Sequence, residues 1–183
     1  MLKKLEIYSD LKKIFSKRKD ILDVILFGSI VKGKTNPNDI DICIIFKEKI
    51  DKELIRDLNK NFENVHFSIL TADNFFKNPH ALIRTLLFEG ESIITNKKIS
   101  EIYGLKAYSL FTYDIKKLDN SKKVRFLYLL KGRRNEIGIV KEFNGNFIGS
   151  GSFIIPIEKD KEMLEILEMW EIKFERKSMF LIK

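Results

Sequence analysis

The 183-residue chain has a single cysteine, which excludes any disulfide framework within it. That residue, Cys43, lies in an apolar run and reads as a buried structural thiol. No apolar stretch approaches the about 20 residues needed to cross a bilayer. Nor is a secretory signal expected: residues 1–19 read as a charged amphipathic segment, with Leu2, Leu5, Leu11, Ile14 and Phe15 at helical spacing. A cytoplasmic protein without a membrane partner is therefore expected. Internal repeats and low-complexity tracts are also missing. With 44% hydrophobic and 33% charged residues the chain reads as globular and highly soluble, long enough for one large domain or two small ones.

The most informative stretch is Phe27-Gly28-Ser29, nine intervening residues, then Asp39-Ile40-Asp41-Ile42-Cys43-Ile44-Ile45. The isoleucines make the second segment an apolar strand, and period-two alternation turns Asp39 and Asp41 to the same side. At about 3.3 Å per residue the two lie about 7 Å apart along the strand, a separation that suits one divalent cation or a metal pair. Upstream, Asp23 to Phe27 reads as a short strand, and Gly28 follows where the chain must turn without a Cβ in the way. Free N–H groups after the turn, with the Ser29 hydroxyl, can bind a phosphate oxygen. Lys32 and Lys34 add positive charge, and Asn36-Pro37-Asn38 turns the chain into the next strand.

This stretch resembles the DNA polymerase β-like nucleotidyltransferase superfamily, in particular its minimal members: a hydrophobic strand, Gly-Ser, roughly ten residues, then Asp-x-Asp. Gly28, Ser29, Asp39 and Asp41 carry the resemblance, and Gly33 matches a common glycine between them. It covers residues 22–45 firmly and residues 1–96 more loosely. It implies that Ser29 grips a nucleoside triphosphate, ATP first among the candidates, while Asp39 and Asp41 hold Mg²⁺ or Mn²⁺ for attack by an acceptor hydroxyl on the α-phosphate. Many minimal members carry two basic residues just after Gly-Ser; here those positions are Ile30 and Lys32.

A third acid is the family's usual complement, on a following strand. The corresponding strand is residues 64–70, whose centre holds His66 and Ser68 on the face opposite Val65, Phe67 and Ile69, with Glu63 and Asp73 flanking it. His66 has three readings: a surrogate base, a contact to phosphate or nucleobase, or an ordinary half-buried strand histidine.

The expected fold class is α+β: a nucleotidyltransferase-type mixed sheet flanked by helices (residues 1–97), then a smaller basic α+β module with a β-hairpin (98–183). In the first part the pattern gives a helix at 2–18, strands at 22–27, 39–46 and 64–70, a helix at 50–62, a short helix between Pro79 and Gly90, and a strand at 92–95. In the second, a strand at 108–115 precedes a helix at 122–131 capped by residues 119–121. A hairpin is expected at Asn144-Gly145, the strongest short signal of its kind, followed by a helix at 158–169 and a strand at 171–182.

Charge is uneven. Residues 1–97 carry a net +3 and residues 98–183 a net +5, and residues 116–141 alone hold 9 basic against 2 acidic groups. Lys122, Lys123, Arg125, Lys131, Arg133 and Arg134 cluster on and around one helix, near Tyr113, Phe126 and Tyr128. This suits a phosphate backbone and makes RNA or DNA the expected acceptor, although the aromatic residues read more readily as core. Two functions stand: transfer of a nucleoside monophosphate from an NTP to an acceptor hydroxyl, on nucleic acid or, as in the toxin–antitoxin branch, on protein; or a nucleotide- or nucleic-acid-binding module that has lost catalysis.

Overall fold

A computed structural model describes residues 2–31, 39–62, 64–77 and 81–182. The chain divides into two compact units, residues 1–103 and 104–183. The division falls beyond the polar stretch around residues 96–101, expected to mark it. Ile99 and Ser100 of that stretch are buried, and Ile99 packs into the first unit's core.

In the first unit β1 (Ile21–Phe27), β2 (Ile40–Phe46), β3 (Val65–Thr71) and the two-residue β4 (Glu91–Ser92) form a sheet in the order β3-β2-β1-β4. β2 and β3 run parallel and the other neighbours antiparallel, so the sheet is mixed. Helices α1 (Leu2–Phe15), α2 (Lys52–Asn61), α3 (Ala72–Phe76), α4 (Ala81–Glu89) and α5 (Ile99–Ile102) complete the unit. Apolar runs in β1 and β2 are explained by burial on both faces. Val24, Leu26, Ile40, Ile42 and Ile44 pack with Leu11 and Phe15 of α1 and Leu58 of α2. Ile25, Phe27, Cys43 and Ile45 turn to the other face, against Phe75, Ile83, Leu86 and Ile99. Asp41 shares this second face. Cys43 is fully buried, and burial, with the charge of Asp23 adding, pushes its thiol up to about 12.

Local chemistry sets the ends of these elements. The Asp51 carboxylate accepts from the N–H groups of Glu53 and Leu54 at the start of α2 and is also held by Arg18 at 2.6 Å. The strand expected at 92–95 stops at Ser92, because the Ser92 hydroxyl accepts from the Thr95 N–H (3.0 Å) and its carbonyl from Asn96 (3.0 Å), which makes a turn. The Ser92 hydroxyl also donates to Asp23 at 2.7 Å. Asp23 accepts the Val24 N–H as well, and burial raises its carboxyl above the usual range. Beside it the Tyr8 hydroxyl lies 3.0 Å from the Ser92 carbonyl and 2.9 Å from the Asn96 side chain.

In the second unit β5 (Leu105–Asp114), β6 (Asn146–Gly149), β7 (Ser152–Pro156) and β8 (Lys173–Ile182) form an antiparallel sheet in the order β6-β7-β5-β8. Helices α6 (Asn120–Lys131), α7 (Ile139–Glu142) and α8 (Asp160–Met169) supply Phe126, Leu130, Val140, Met163 and Leu167 to one core with Phe111, Tyr113, Phe153 and Ile155. Asp119 caps α6 through the Lys122 N–H.

The hairpin exists, but not at Asn144-Gly145. It joins β6 to β7 through Ser150-Gly151, tied to β5 by the Tyr113 hydroxyl, which donates to the Ser150 carbonyl at 3.0 Å. Asn144 and Gly145 instead close α7. Asn144 takes a left-handed φ of 57°, its N–H reaches Lys141 O at 2.9 Å, and the Gly145 N–H reaches Val140 O at 2.7 Å. These paired bonds are a helix-ending motif that uses the same residues as a tight hairpin turn. Buried Val140 and Phe143 decide between them by anchoring the helical turn in the core.

Candidate active site

Gly28 ends β1 with φ of 77°, and residues 28–30 form a single 3₁₀ turn pinned by buried Ile30. A Cβ at Gly28 would collide with Oδ2 of Asp41. Glycine is thus required twice, once for its backbone angle and once for the carboxylate packed against it. Ser29 is half-buried in the same turn.

Strand pairing decides what else meets Asp41. On one side it is in register with Phe27 of β1, on the other with His66 of β3. His66 Nδ1 lies 3.7 Å from Asp41 Oδ1, an ion-pair distance when the imidazole is protonated. Ser68 pairs with Cys43, two residues further along the sheet, and Thr71 with Phe46, so of the polar residues of β3 only His66 stands directly beside Asp41. The His66 side chain is 71% exposed, so the half-buried reading does not describe it. Asp39 is exposed, just before β2 begins. Asp73 lies on α3, paired with Lys77 at 2.9 Å. Lys32, Gly33, Lys34, the 36–38 turn, Glu63 and Pro79 lie outside the described residues.

Residues 9–99 match the polymerase beta nucleotidyltransferase family. The chain carries a nucleotidyltransferase domain of that family. No curated protein matches the chain. The match supports a nucleotidyltransferase-type function with a nucleotide substrate, and it agrees with the mixed, helix-flanked sheet of the first unit. No helix among the described residues is long and apolar enough to cross a membrane.

Among the described residues, no group of three or more His, Cys, Asp or Glu side chains is arranged to hold a metal ion. Asp41 is the carboxylate placed against the Gly28 turn, and Asp39, two residues before it in sequence, is the second carboxylate expected to join it. That chemistry fits an ion such as Mg²⁺, which is commonly held by one or two carboxylates together with substrate phosphates and water rather than by an all-protein cage.

The basic residues singled out by sequence belong to the second unit. Lys122, Arg125, Lys131, Arg133 and Arg134 are exposed and Lys123 is half-buried. None forms an ion pair with another described residue. Phe126 and Tyr113 are core residues, whereas Tyr128 is on the surface. Sequence reasoning passed over Phe147 because it sits in the segment taken for the second hairpin strand; it is exposed and lies under Lys131.

Proposed function

We propose that the protein transfers a nucleoside monophosphate from an NTP to an acceptor hydroxyl on nucleic acid, with Mg²⁺ or Mn²⁺. The observation that carries this reading is the packing of the Asp41 carboxylate into the space left by the missing Cβ of Gly28, which joins the phosphate-binding turn to the proposed metal-binding residue. Ser29 and the backbone N–H groups of its turn take the phosphate oxygens, aided by Lys32 and Lys34. Asp39 and Asp41 hold the ion, which when bound neutralises charge developing on the phosphate oxygens. His66, exposed and beside Asp41, contacts the reacting hydroxyl or phosphate. Catalysis on this reading is positioning plus electrostatics.

The test is label transfer from NTPs to an oligonucleotide bearing a free 3′ hydroxyl, with Mg²⁺ or Mn²⁺. Asp39→Asn/Asp41→Asn is expected to lower the rate by about 10³-fold, the equivalent of several kcal/mol of charge stabilisation. Transfer surviving the double substitution would overturn the metal role.

A second reading, a nucleotide-binding module without turnover, is favoured by one observation: the strand position beside Asp41 holds His66 rather than an acid. His66→Asp tests it in the same assay. Wild type that binds NTP but transfers nothing, with transfer appearing in His66→Asp, would establish the second reading.

A further inference from the structure

The end of α6 carries an arrangement that the transfer reading does not use. Gly132 has φ of 88°, and a Cβ there would strike Glu136 O and Gly138 N. A Cβ on Gly138 would strike the backbone of residues 130–132. The two glycines therefore pinch together the ends of a five-residue loop, Arg133 to Ile137, all of it exposed, with Arg134 in the left-handed region at φ of 54°. Held this way, the loop sets the Arg133 guanidinium 5.1 Å from the centre of the Tyr128 ring, which is 43% exposed. Lys131, one residue before the pinch, places its Nζ 5.4 Å from the ring of Phe147, also exposed, on β6. Arg125 lies one helical turn before Tyr128 and is exposed. Two exposed rings, each under a cation, thus lie among basic residues that form no ion pair with another described residue, although the loop also carries Glu136.

We propose that this surface binds single-stranded nucleic acid, with phosphates on Arg125, Arg133 and Arg134 and an unpaired base stacked on Tyr128, taking the ring face that the Arg133 guanidinium now covers. Charge alone would accept a duplex as readily. The rings decide the choice, because a base offers its face to an aromatic side chain only when it is out of a duplex. The inference deepens the transfer reading by naming the acceptor class and rests on that reading only for its consequence, since binding needs neither NTP nor metal.

The experiment is fluorescence anisotropy of the full chain, without NTP or metal, on labelled oligo-U and oligo-dT of about 12 nucleotides, within the span of known single-strand sites, and on a duplex of the same length. Single strands are expected to bind more tightly than duplex. Tyr128→Ala should weaken single-strand binding about 5- to 150-fold while Tyr128→Phe stays near wild type, and Arg133→Ala/Arg134→Ala should lower the salt slope by about 1.4. Thermal melts establish that the variants fold. Duplex bound as tightly as single strand, Tyr128→Ala indistinguishable from wild type, or anionic lipid vesicles bound in place of oligonucleotides would each overturn the proposal. Oligonucleotide binding without any label transfer would sink the transfer reading alone; transfer to a mononucleotide acceptor without oligonucleotide binding would sink this one alone.

Discussion

The first unit buries its sheet from both sides, while the second packs its helices into a single core. In the first, apolar side chains cover both faces of β1 and β2, so the exceptions are conspicuous: Asp41 at one end of the sheet and Asp23, hydrogen-bonded to Ser92, further along β1. In the second, the polar and basic residues occupy the outer surface of α6 and the loop after it, where solvent accommodates any charge. A carboxylate in a doubly covered sheet has to be explained by a partner or a task, whereas an exposed lysine on a helix does not. The same residue types therefore carry different weight in the two units.

The largest expected effect separates the cores. Phe153 is fully buried in the second unit, and Phe153→Ala should cost about 3–5 kcal/mol. If the units fold independently, hydrogen exchange will lose protection in residues 104–183 and keep it in residues 1–103. Loss of protection throughout would mean that the chain unfolds as one body and would erase the contrast.

A smaller effect belongs to the turn. Gly28→Ala forces a side chain into the left-handed region, at about 1–2 kcal/mol, and drives its Cβ onto Asp41. Thermal melting should show that modest loss, while label transfer and NTP binding, measured by isothermal calorimetry, should fall out of proportion to it. Transfer falling only as far as stability would show that the close contact is structural.

How much of this was legible in the sequence depends on whether the deciding contact was local. The Gly-Ser turn, the Asp-x-Asp strand and the Asp119 cap of α6 rest on neighbours within a few residues, and spacing and periodicity displayed them. His66 was visible as a polar residue on a strand, yet its place opposite Asp41, with Ser68 opposite Cys43, follows from the parallel register of β2 and β3. That register is fixed by the pairing of strands distant in sequence. Asn144-Gly145 fits a tight hairpin turn and a helix end equally well, and the burial of Val140 and Phe143 chose the latter. The Gly132–Gly138 pinch could not be read locally, since glycines six apart carry no turn signature.

The smallest effect concerns the half-buried acid Asp23. Burial raises the Asp23 carboxyl, so the folded state holds its proton to higher pH than the unfolded chain does, where the value is about 3.9. Stability from this group is accordingly highest in acid and declines as pH rises from the unfolded value through the raised folded one. Asp23→Asn keeps an oxygen to accept from Ser92 and Val24 but has no charge to lose. Melting temperatures from about pH 4 to 8 should show the variant gaining on wild type as pH rises. A variant that loses ground at neutral pH would mean that the ionised form is the one the Ser92 contact stabilises.

The pinch at Gly132 and Gly138 also has a consequence for variation. Because backbone contact between the two glycines closes the loop, the exposed residues between them, apart from Arg134 at its left-handed φ, can change identity without asking the core to adjust. The loop is in that sense an interchangeable cassette: its sequence can be exchanged to retune what the second unit recognises, while either glycine, once replaced, takes the cassette's frame with it.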